Sequence, residues 1–140
     1  MKRPTPPAPV PRVFAGLSLL LAMTVIALAI IPALAGTPSL QIFFAADFTD
    51  LSYQQGVYKK VAASWQWPAE APKPGSKAVV IASIRKDGTV SAPALHMKSG
   101  SDAWDSAALE AVRKASPFGP LPKGYLRPSV EVHFHFGYDN

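Results

Sequence analysis

The chain of 140 residues contains no cysteine, which excludes disulfides, cysteine-ligated zinc sites and thiol catalysis. Charge is also scarce, at 16% of residues, and its imbalance is local. Of 14 basic residues, Lys2, Arg3 and Arg12 lie at the N-terminus, leaving 11 basic against nine acidic from Asp47 onward. A surplus of two does not make a phosphate-binding surface, so nucleic acid is not an expected partner. Phosphate-binding loops, dinucleotide fingerprints and Ser/His/Asp orderings are missing as well, so no catalytic residue and no cofactor is expected. The protein is read as a non-enzyme.

What the chain has in plenty is apolar residues, 49%, and proline, 15 residues, about twice the usual share. Five prolines fall within the first eleven residues, so residues 1–12 read as a Pro-rich cytoplasmic tail. Residues 13–34 carry no charge. As a helix they rise roughly 33 Å, enough to cross a bilayer core. Basic residues precede this run and Asp47 and Asp50 follow it, which places the C-terminal part outside the cytoplasm. Two readings of residues 13–35 stand. One is a single-pass inner-membrane anchor with a periplasmic domain. The other is a signal peptide cleaved after Ala35, since Ala33-Leu34-Ala35 has the A-x-A form, giving a soluble periplasmic protein. Residues 36–51 read as a connector with an apolar patch of Leu40, Ile42, Phe43, Phe44 and Phe48, packed on the domain or on the membrane surface.

Residues 52–140 read as one domain in the order helix, strand, strand, helix, strand. Ser52 and Gln55 have the spacing of a capping box, and Tyr58, Val61, Ala62 and Trp65 make one apolar helix face. Residues 78–85 form a nearly continuous apolar strand. Asp87-Gly88 predicts a tight turn into a return strand, which Pro93 restricts to an edge or a bulge. Ser101 or Asp102 starts a second helix whose buried stripe is Trp104, Ala108, Ala111, Val112 and Ala115. Asp102 and Asp105 at its start, with Arg113 and Lys114 at its end, complement the helix dipole. In the last strand Val130, Val132, Phe134, Phe136 and Tyr138 alternate with Ser129, Glu131, His133, His135 and Gly137, giving one buried and one wet face. The expected fold is α+β, with two helices packed on a three-stranded antiparallel sheet.

Two chemistries can be read on that last strand. His133 and His135 share a face and, with His96 or Glu131, have the residue types of a metal site; ordinary solvated polar residues are the expected reading, so no metal is assigned. The stronger feature is the strand itself. It is regular and proline-free, and as an edge it accepts an extended peptide by strand addition. The candidate partner-binding residues are Ser129, Val130, Glu131, Val132, His133, Phe134, His135 and Phe136. Against this, the connector, the loop after Pro117 or a second copy of the chain, as a homodimer, covers the same edge.

From about Tyr58 to Tyr138 the order of features resembles the C-terminal domain of TonB and TolA type envelope proteins. The matching pieces are Trp65-Gln66-Trp67-Pro68, Lys86-Asp87-Gly88-Thr89-Val90, Lys98-Ser99-Gly100, Trp104-Asp105-Ser106-Ala107-Ala108-Leu109, Pro117-Phe118, Pro120-Leu121-Pro122 and Val130-Glu131-Val132-His133-Phe134. The resemblance implies a periplasmic domain whose last strand pairs with a segment of an outer-membrane receptor or other envelope protein. It also implies a membrane segment coupled to inner-membrane motor proteins, making the chain an energy transducer in transmembrane transport. Motor-coupled anchors of this type carry a histidine one turn beyond a serine. Here Ser18 is followed by Leu19, Leu20, Leu21 and Ala22. The alternative is a small periplasmic interaction or structural module without motor coupling.

Overall fold

A computed structural model describes residues 36–140. The expected cytoplasmic tail and the membrane or signal segment, with the Ala35 site, lie outside the described residues. Among the described residues no helix is long and apolar enough to cross a membrane.

The connector does not remain a connector. Leu40, Ile42 and Phe44 alternate with Ser39, Gln41 and Phe43, and this period of two makes a strand, β1 (Thr37–Phe44). Helix α1 (Leu51–Ser64) follows. Its cap is Asp50, whose carboxylate accepts from the Tyr53 N–H at 2.8 Å, so the helix starts ahead of the expected Ser52 capping box. The Gln54 side-chain amide reaches back to the Phe48 carbonyl at 3.0 Å. The buried stripe is Val57 and Val61, continued by Trp65 at the C-cap. Tyr58 and Ala62, expected on that stripe, are exposed, because the spacing of four from Val57 sets the face.

Strand β2 (Ser76–Arg85) turns through Lys86–Thr89 into β3 (Val90–Met97). Asp87 accepts from both the N–H and the hydroxyl of Thr89, at 3.0 and 2.6 Å, and these bonds hold its carboxyl below the usual carboxylate range. Gly88 has φ +88°, and a Cβ there would stand 2.1 Å from the Gly119 carbonyl oxygen. The loop after Pro117 docks on this turn, with the Phe118 N–H on the Gly88 carbonyl and the Leu121 N–H on the Lys86 carbonyl, both at 2.9 Å.

Helix α2 (Asp102–Ala115) buries the expected stripe, Trp104, Ala108, Ala111, Val112 and Ala115. Ser101 is its cap. Asp105 does more than complement the dipole. Its buried carboxylate accepts from the Ser99 N–H at 2.8 Å and braces the turn before the helix. Strand β4 (Ser129–Asp139) closes the domain.

The sheet has four antiparallel strands in the order β1-β4-β2-β3. It is thus four-stranded where three strands are expected, and β4 is central. Ala78, Val80, Ala82 and Ile84 of β2 and Val130, Val132, Phe134 and Phe136 of β4 turn one face into the core with residues of α1 and α2. Strand β3 is the blunted edge. It contains Pro93, Ala92 at φ +36° and register shifts against β2.

Candidate functional site

The eight candidate residues share one strand, and each flank of that strand has a definite use. The Ala45 N–H donates to the Glu131 carbonyl at 3.1 Å, which makes these two a hydrogen-bonded pair. Such pairs alternate along an antiparallel ladder. The backbone groups of Glu131, His133 and His135 therefore face β1, opposite Ala45, Phe43 and Gln41. On the other flank the Lys86 N–H donates to the Pro128 carbonyl, so Val130, Val132 and Phe134 face β2. The expected acceptor edge of β4 exists, but this chain's own β1 fills it. Of the three expected covers it is the connector that does so, while the loop after Pro117 lies on the β2–β3 turn instead.

Side chains divide by face. Val130, Val132, Phe134 and Phe136 are in the core, each no more than 1% exposed. Glu131, His133 and His135 stand on the open face of the sheet. His133 Nε2 lies 2.8 Å from Glu131 Oε1, a partly exposed contact of little energetic weight. The Phe43 ring meets the His135 ring edge-on, with centroids 4.7 Å apart, across the β1–β4 seam. The open-face rows run Phe43, His133, Ile81 and Gln41, His135, Val79, Met97 by register. His96 is exposed on β3, and among the described residues no group of three or more His, Asp or Glu side chains is placed to hold a metal ion.

Burial, and then the charges of Lys77 and His133, hold the His135 imidazole below its ordinary pKa. The unfolded chain then takes up a proton that the folded chain resists. His135 weighs nothing against folding above the unfolded pKa of about 6.5, and stability is lost as pH falls from there towards the lower folded value. The urea midpoint is expected to fall modestly between about pH 7 and pH 5, and His135→Gln to shrink that fall. An equal fall in the variant would assign the effect to other groups.

The outer flank of β1 is now the sheet edge. By the same alternation the backbone groups of Leu40, Ile42 and Phe44 face outward, and so does Pro38, whose missing N–H costs the ladder nothing. As a strand, β1 goes unread in the sequence, where it is taken for a connector. Its signal was the alternation of Leu40, Ile42 and Phe44, hidden by a second apolar residue, Phe43, on the opposite face.

A protein-family signature described as TonB C terminal matches residues 51–136. The chain belongs to the TonB C-terminal family. No curated protein matches the chain significantly. Among solved structures, the TonB C-terminal domain of Helicobacter pylori is similar at 18% identity and a TM-score of 0.51, covering 67% of this chain and 86% of that one. TolA domain III, solved bound to a peptide derived from the N-terminus of TolB, is similar at 23% identity and a TM-score of 0.50, covering 65% of this chain and 77% of that one. At such identities the likeness is one of fold. The family range holds both helices, β2, β3 and most of β4, but β1 lies before it.

Proposed function

We propose that this TonB-family domain is a non-enzymatic, periplasmic binding module. It takes an extended segment of a partner envelope protein as an added strand beside β4, along Ser129–Phe136. One observation carries this reading. The β4 flank that faces β1 is regular over eight register pairs, from Thr37↔Asp139 to Phe44↔Val132, whereas the far edge of the sheet is broken by Pro93 and its bulges. The TolB-derived peptide bound to TolA domain III supports a peptide segment as the ligand.

Synthetic peptides copying the periplasm-facing ends of outer-membrane receptors and other envelope proteins of the same cell test this directly. At least one is expected to bind the full chain in detergent and to shift amide resonances along β1 and β4. A panel with no binder at about 1 mM, the weakest affinity of interest, contradicts the reading.

Within this reading residues 13–34 are an inner-membrane anchor, and energy transduction to outer-membrane transport is the fuller role. A module without motor coupling is favoured by two observations. No histidine follows Ser18 by one turn. In addition, only Ala35 and Gly36 separate residue 34 from β1, roughly 7 Å of extended chain. Replacing residues 13–34 by an unrelated apolar helix separates the roles. Transport lost with the domain still folded and inserted supports motor coupling, and transport retained excludes it.

A further inference from the structure

We infer that β1 is an exchangeable occupant of the partner slot on β4, and that its own sequence states the partner's chemistry. That partner is an uncharged extended segment lying antiparallel to β4, with bulky aliphatic or aromatic side chains at three alternate positions. The inference rests on the strand-addition reading above and adds what gates the slot and what fits it.

Four features carry it. The family range contains both helices, β2, β3 and most of β4 but excludes β1, so β1 lies outside the stretch that the family shares. Strand β1 occupies that end through a full antiparallel ladder, from Thr37↔Asp139 to Phe44↔Val132. None of its residues is fully buried; Leu40, Ile42 and Phe44 pack against the edge of the core without being enclosed by it. The strand is therefore held by ladder bonds and apolar contact on one face rather than by an enclosed anchor. Finally, the anchor lies just after it. Phe48 is 4% exposed, stacks on Phe44 at 5.0 Å and meets Tyr53 and Tyr125 edge-on. Asp50 caps α1 immediately beyond. Residues 45–50 thus form a pivot that stays docked while β1 lifts away.

The pattern of β1, with Leu40, Ile42 and Phe44 facing the core and no charge between Thr37 and Phe44, is what the slot selects. A tethered strand competes at a high effective concentration, millimolar for short flexible connections. The partner's apparent affinity is its intrinsic affinity scaled by the fraction of chains with the slot open.

The test uses the full chain in detergent and, as probe, a fluorescein-labelled peptide with the sequence of residues 37–44. Gln41 and His135 face each other across the seam, and opposed residues of this kind lie about 5.5 Å apart, within disulfide range. Because the chain has no cysteine, Gln41→Cys with His135→Cys forms a single lock. The oxidised double variant is expected to lose the probe and to regain it on reduction. Phe43→Pro removes a backbone donor facing β4 and is expected to tighten probe binding at least about tenfold over the wild type. Equal binding to the locked and reduced chains overturns the inference, as does no tightening in a Phe43→Pro chain that stays folded by circular dichroism. A concentration-dependent dimer of the reduced chain that the probe cannot dissociate also overturns it, in favour of a second copy in the slot. The envelope peptides keep the two readings apart. If they bind locked and reduced chains alike, strand addition moves to the outer flank of β1 and the gated slot on β4 falls. If none binds either form, strand addition itself falls.

Discussion

Trp104→Ala is expected to cost about 3–5 kcal/mol of unfolding free energy, the range for truncating a buried large aromatic. Trp104 is 1% exposed and sits where α2 meets the sheet. Its ring is edge-on to Trp65 at 5.2 Å and to Tyr138 at 5.6 Å. Its indole N–H donates to the Phe136 carbonyl at 3.0 Å, tying the helix to β4. Alanine opens a cavity and removes that donor together. Against a typical domain stability of about 5–15 kcal/mol, the loss is a large share. Trp104→Phe keeps most of the volume and gives up the donor, so its cost is expected nearer 1–3 kcal/mol. Urea titration followed by circular dichroism measures both. A cost below about 1 kcal/mol for the alanine variant would contradict the placement of Trp104 in the core.

Proline substitution in β4 is expected to have an effect of similar size, and to differ between neighbouring positions. Val132 faces β2 in the middle of the sheet, while His133 faces β1. Val132→Pro removes a ladder bond between two central strands and a fully buried side chain, and is expected to leave little folded protein. His133→Pro removes a bond only to β1 and a half-exposed side chain, so the domain is expected to fold with a loosened first strand. If β4 were a free edge on its β1 side, His133→Pro would cost almost nothing. With β1 in place it carries a measurable cost, and amide exchange at Gln41 and Phe43 is expected to rise. Equal loss of structure in both variants would contradict the assignment of backbone groups to the two flanks.

Much of this fold is legible in the residues, and the reason differs by element. Strand β4 is read from strict alternation because one face is core and the other is not. Helix α2 is read from Trp104, Ala108, Ala111 and Ala115 because their spacing of four, three and four lines one helix face. Asp87-Gly88 marks its turn because Gly88 needs a positive φ. The face of α1 is misjudged because Val57 follows Gly56, a weak helix former, and so does not stand out as the first residue of a stripe. Its start is misjudged because Asp50 and Ser52 are both good caps, and it is Asp50 that takes the Tyr53 N–H. Asp105 as a brace for Ser99 depends on a turn whose Gly100 sits at φ +95°, a tertiary detail with no periodic trace.

The candidate site shows the same division. The residues from Ser129 to Phe136 are found as a strand from their pattern alone. Their placement in the middle of the sheet is not, because it depends on β1. That segment precedes the stretch that carries the family's features, and its alternation is blurred by Phe43 on the open face. The error is thus one of strand count, three for four, while cover of the β4 edge by the connector is among the sequence expectations.

Amide hydrogen exchange of the full chain, free and with the tightest-binding envelope peptide, decides whether the peptide takes the place of β1 beside β4. The amides of His133 and His135 are expected to stay protected in both states, since one strand replaces another beside them. Gln41 and Phe43, protected in the free chain, are expected to exchange freely once the peptide is bound. Retained protection at Gln41 and Phe43, with new protection at Leu40, Ile42 and Phe44, would place the peptide on the outside of β1 and contradict the account.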